Sequence, residues 1–112
     1  MADQPTAARE AFGKVAPKFA EITDTVLFGD VWARAELSPR DRSLITVSAL
    51  IALYRPDELF WHLKRALANG VTREELVEMV THLAFYAGWP SAHSAVVTLQ
   101  RVFDEADGAD PA

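Results

Sequence analysis

The sequence predicts an all-α protein, and two observations carry that prediction. Apolar residues recur at helical spacing through most of the chain, with no strand-like alternation and no hairpin turn. Proline and glycine fall where helices start and stop rather than inside them. In the N-terminal third, Pro17 separates a short helix over residues 6–14 from a second over 18–32. Ser38-Pro39-Arg40-Asp41 then supplies an N-cap, a proline at the first helical position and an acid in the first turn, opening a helix over 39–54. Arg55-Pro56 stops that helix and starts the next, over 57–69, which Gly70 closes where a left-handed residue is wanted. Thr72-Arg73-Glu74-Glu75 reads as a capping box for a helix over 73–87, ended by Gly88 and Pro90. A last helix covers 91–106 and an acidic tail follows. The expectation is one domain of about six helices: an N-terminal helical segment (1–36), a helical core (37–106) and a disordered tail (107–112).

Apolar stripes agree with these elements. Leu59, Leu63, Ala66 and Leu67 line one face of the 57–69 helix. The 73–87 helix begins amphipathic, with Leu76, Val77, Val80, Leu83 and Ala84 on one side, and turns apolar almost all round from Met79 to Ala87. A segment of that kind is expected to be buried on several sides, against other copies of the chain. Composition argues the same way. Half of the 112 residues are hydrophobic and 24% are charged, which is rich in apolar side chains for a chain whose surface is large relative to its volume. A net charge of −5 excludes the clustered basic face of a nucleic-acid binder but leaves room for a small anionic substrate held by one or two arginines. No apolar run approaches the ~20 residues of a membrane span, and the N-terminus has an acid, a proline and no apolar core, so the expected setting is the cytoplasm, with no membrane partner. The chain has no cysteine, which fits that compartment and rules out thiol chemistry.

Chemistry-bearing residues concentrate on one helix. Glu58, His62 and Arg65, spaced by four and three, share a face beside the Leu59/Leu63 stripe, and Arg55 lies at the helix start. An acid, an imidazole and a guanidinium in a row can do acid–base work and hold an anion, with Glu58 orienting His62 and raising its pKa; the same spacing also suits ordinary solvated ion pairs. His82, with Glu78 a turn before and Tyr86 a turn after, is either a hydrogen-bonded interior or interface histidine or a functional one. His93 reads as a surface residue. The histidines lie on separate segments without metal-ligand spacing, so a metal is not expected. Phosphate loops and a nucleophile elbow are absent, and Ser43, Ser48 and Ser94 have no local base.

Residues 37–97 resemble the carboxymuconolactone decarboxylase family. The resemblance rests on LSPRDRSLITVSALIAL and RPDELFWHLKRALANGVTREELVEMVTHLAFYAGWPSA, with FGDVWARAELS before them. It implies an all-α subunit in a homo-oligomer, commonly a hexameric ring built as a trimer of dimers. One branch of the superfamily, alkylhydroperoxidase D-like, carries Cys-x-x-Cys before the helix histidine. With His62 at that histidine, the cysteine positions fall on Arg55 and Glu58 and the upstream glutamate on Ser43, so thiol peroxidase activity is excluded. The other branch implies a cofactor-free decarboxylase of aromatic catabolism, converting gamma-carboxymuconolactone to beta-ketoadipate enol-lactone and carbon dioxide. On that branch His62 is the proton donor or oxyanion partner, oriented by Glu58. Arg42 is the first candidate carboxylate clamp, with a structural salt bridge as its alternative, and Arg65 is the second. His82 and Tyr86 complete the pocket from the same or an adjacent subunit. Other outcomes compatible with these residues are an isomerase or lactone hydrolase acting on another small acid, and a non-catalytic ligand-binding member.

Overall fold

A computed structural model describes residues 5–108, and every regular element in them is helical. The chain divides into two compact units, Met1–Pro39 and Arg40–Ala112. In the first, α1 (Ala7–Phe12) ends before Pro17 and α2 (Pro17–Ile22) starts on it, one residue earlier than the expected 18. The single helix expected over 18–32 is not continuous. After Ile22 the chain widens into a π-helical stretch, Thr23–Phe28, and ends in a 3-10 turn, Val31–Ala33. Two threonine hydroxyls explain part of the disruption: Thr23 donates to the Phe19 carbonyl and Thr25 to the Glu21 carbonyl, both at 2.8 Å, which competes with the helical ladder. The buried carboxylate of Asp24 turns to α1 and accepts from the backbone N–H groups of Ala8 and Arg9, each at 2.9 Å. These are first-turn donors with no partner inside their own helix.

The second unit holds α3 (Pro39–Ala52), α4 (Pro56–Ala68), α5 (Arg73–Leu83) and α6 (Trp89–Ala106). α4 and α5 both pack on α6. The core runs through all four helices: Val47 and Ile51, Leu59 and Leu63, Leu76 and Val80, Leu99 and Val102. α3 stops two residues before the expected Tyr54 because the chain turns there through a left-handed residue. Tyr54 has φ 55°, its N–H reaches the Ile51 carbonyl at 3.1 Å, and the Arg55 N–H reaches Leu50 at 2.9 Å. This is a Schellman closure with tyrosine where glycine is usual. Gly70 and Gly88, at φ +98° and +102°, make the corresponding reversals after α4 and before α6.

α5 also ends early, at Leu83 rather than Ala87. Residues 84–87 tighten into turns through bonds from Phe85 to His82 and from Tyr86 to Leu83. The expectation that this apolar stretch is buried on several sides fails within the chain. Phe85 and Tyr86 leave the helix and stay 79% and 78% exposed. At the other end, Asp107, which was assigned to the tail, is held by Arg73 at 2.6 and 3.2 Å. Residues 109–112 of that tail lie outside the described residues. The capping box of α5 is formed in full: Thr72 Oγ1 accepts from the Glu75 N–H at 3.1 Å, and the Glu75 carboxylate accepts from the Thr72 N–H at 2.9 Å. Arg40 on α3 pairs with the same carboxylate. Thr72→Ala removes the cap and is expected to cost about 1 kcal/mol in denaturant unfolding.

Candidate functional site on helix α4

Pro56 starts α4 at a position that needs no N–H donor, and Leu59, Leu63 and Ala66 sink into the core. That fixes the helix's rotation. At 3.6 residues per turn, Glu58, His62, Arg65 and Asn69 fall on the adjoining face, and Trp61 borders them on the side away from the core. The structure therefore brings together three of the residues singled out by spacing. Glu58 is exposed; His62 and Arg65 are half-buried. Two of their nitrogens, His62 Nδ1 and Arg65 Nε, are shielded from solvent. At the end of the stripe, Asn69 Nδ2 donates to the buried Ser43 Oγ at 3.0 Å and ties α4 to α3. Arg42 is the neighbour of Ser43, half-buried, with its Nε also shielded.

The electrostatics differ from the spacing argument in sign. Glu58 does push the His62 pKa up, but burial first and the Arg65 charge second outweigh it, and the imidazole is held below its ordinary value. Burial lowers the Arg65 guanidinium as well, which still leaves it a cation. The face thus presents a neutral imidazole beside a fixed positive charge.

His82 and Tyr86 form a separate group. Their rings stack at 4.8 Å at the exposed end of α5, with Phe85 and Trp89 in perpendicular contact at 6.3 Å beside them. His93 is exposed on α6, as expected. Among the described residues, no three His, Cys, Asp or Glu side chains gather into a metal-holding group, and no helix is long and apolar enough to cross a membrane. An open cleft of about 420 Å³ belongs to the N-terminal unit and is lined by Thr6, Arg9, Glu21 and Asp24 among others. Its buried acid is already committed to capping α1, so α4 is the stronger candidate for chemistry. Trp61 was missed in the sequence. The Arg65 guanidinium lies 5.4 Å from its ring centroid and the His62 ring stands perpendicular to it at 4.7 Å. An aromatic four residues before an arginine was the available signal.

Comparison with known proteins gives a consistent result. The carboxymuconolactone decarboxylase family matches residues 17–100. The chain is 39% identical over 87 residues to 4-carboxymuconolactone decarboxylase of Acinetobacter baylyi, covering 78% of this chain and 65% of that one. It is 37% identical over 85 residues to nitrosuccinic acid decarboxylase npaB of Metarhizium robertsii, covering 76% and 59%. It is 29% identical over 100 residues to an uncharacterized 15.0 kDa protein of Paracoccus denitrificans, covering 87% and 74%. The chain thus spans less than two thirds of the length of the two relatives named as decarboxylases.

The depressed His62 pKa has a direct test. A folded state that resists a proton the unfolded chain accepts loses stability as pH falls through the ordinary imidazole range, and the loss is complete below the depressed value. Followed by NMR against pH, the His62 ring protons are expected to shift below the ordinary imidazole pKa. Arg65→Gln should move that transition up and Glu58→Gln further down. A wild-type transition at or above the ordinary value contradicts the site's electrostatics.

Proposed function

The chain belongs to the carboxymuconolactone decarboxylase family, and from that premise we propose that it is a cofactor-free carboxy-lyase acting on gamma-carboxymuconolactone and releasing beta-ketoadipate enol-lactone and carbon dioxide. The observation that carries this reading is the α4 face, where a neutral imidazole and a guanidinium stand one turn apart. Decarboxylation of such a lactone breaks the bond to the departing carboxylate. The electron pair moves through the ring alkene onto the lactone carbonyl oxygen, and a proton must then reach carbon. Arg65, with Arg42 from α3, grips the carboxylate that stays. A substrate meets His62 at Nε2, since Nδ1 is shielded. Its N–H donates to the developing oxyanion, whose negative charge raises the ring's affinity for a proton drawn from solvent water; the ring passes one proton to carbon and returns to its neutral form. Glu58 keeps that imidazole from becoming too weak a base. The Metarhizium relative, named for a nitro acid, supports the same logic, because a nitro group accepts electrons onto oxygen as a lactone carbonyl does.

Self-association belongs to the proposal. Phe85, Tyr86 and Trp89 are 79%, 78% and 67% exposed, and single chains rarely leave adjacent large aromatics in water. We place this patch between copies of a ring-like homohexamer, where His82 and Tyr86 close the pocket of an adjacent subunit.

Purified protein, its mass first measured by light scattering, is mixed with gamma-carboxymuconolactone while ultraviolet absorbance and carbon dioxide are followed. Turnover is expected, and His62→Ala should lower kcat by ~10²–10⁴-fold. A single-subunit mass removes the assembly, no turnover by a folded oligomer removes the activity, and undiminished turnover in His62→Ala removes the role of His62.

A further inference from the structure

His62 and Arg65 share a neighbour as well as a helix face. Trp61 is one residue from the first and one turn from the second. Its indole carries the Arg65 guanidinium over the ring at 5.4 Å and holds the His62 ring perpendicular at 4.7 Å. Loss of water around them is the first cause that displaces both polar groups from their ordinary protonation behaviour, and the core supplies one wall of that dry environment. Leu59, Leu63 and Ala66 cover the inner side of the stripe, whereas Trp61 borders the outer side. Trp61 is itself 45% exposed, more than a residue retained for core packing alone needs to be.

We propose that Trp61 is a positioning residue of the candidate site: its indole fixes the Arg65 guanidinium for the substrate carboxylate and walls the His62 imidazole off from water. The inference rests on the reading of the α4 face as an anion-binding decarboxylation site. A guanidinium on a flexible stem loses conformational freedom on gripping a carboxylate; one already stacked on an indole has lost part of it beforehand. Arg65 and Glu58 of its own helix are charged groups that face His62. Those brought to α4 by α6 engage elsewhere: Arg101 lies over Phe60 at 4.5 Å and Glu105 pairs with Lys64 at 2.5 Å. From α3, Ser43 meets Asn69 of α4, and the half-buried cation Arg42 is the sequence neighbour of Ser43.

The test compares wild type, Trp61→Leu and Trp61→Phe, each with its melting curve and oligomeric mass recorded. His62 is titrated by NMR without substrate, and KM and kcat are measured with gamma-carboxymuconolactone. In Trp61→Leu the His62 transition should move up toward its ordinary value. KM should rise about two- to fivefold, as expected for loss of one exposed cation–π contact, with kcat less affected. Trp61→Phe, which keeps an aromatic face, should recover most of both. An unchanged His62 titration in Trp61→Leu overturns the proposal, as does equal disturbance by Leu and Phe. The titration needs no turnover, so failure of the decarboxylase reading and failure of the Trp61 role remain distinguishable.

Discussion

Leu63 has no exposed surface, and Leu59 and Ala66 on the same stripe are nearly as deeply covered. Their packing sets the rotation of α4, and everything proposed for the site depends on that rotation. Burying a leucine side chain contributes roughly 1.5–3 kcal/mol, whereas an exposed ion pair contributes about 0–1 kcal/mol. A turn of the helix that improved the Glu58–His62 contact at the expense of Leu63 would therefore be unfavourable. The core chooses the face, and the polar residues take the positions the core leaves to them. Asn69, donating to Ser43, holds the far end of the same face against α3.

The position beside that stripe decides the charge state. Half-buried, the imidazole resists protonation, and a guanidinium on the next turn reinforces the resistance more than Glu58 relieves it. Of the two cations that might have formed, arginine keeps its proton and histidine yields. Spacing alone suggested a histidine made more basic by a neighbouring acid. The fold reverses the net direction while preserving the acid's contribution, giving an uncharged imidazole beside a cation.

Much of the second unit was legible because its signals are local. The Thr72/Glu75 capping box, Pro56 at the head of α4 and the Leu59/Leu63/Ala66 stripe all follow from residues a few positions apart. The misses have non-local or three-dimensional causes. Asp24 reaches across 16 residues to cap α1, and no periodicity within 18–32 announces the π-helical stretch it sits in. The early end of α5 turns on competition between apolar helix-compatible residues and the reversal at Gly88, which sequence order does not rank. Trp61 has no periodic or motif signal of its own beyond its spacing from Arg65; it stands out only where the side chains of His62 and Arg65 lie against its ring.

The central claim is that an uncharged His62, next to a permanent cation, stabilises the electron-rich species left by loss of carbon dioxide. The most direct test is the pH dependence of kcat/KM for carbon dioxide release from gamma-carboxymuconolactone, with His62→Gln alongside. The account predicts a plateau through neutral pH and a fall only as pH drops below the depressed His62 value, with that fall absent from the His62→Gln profile. Activity that rises on acidification through the ordinary imidazole range would show that the imidazolium is the working form and contradict the account.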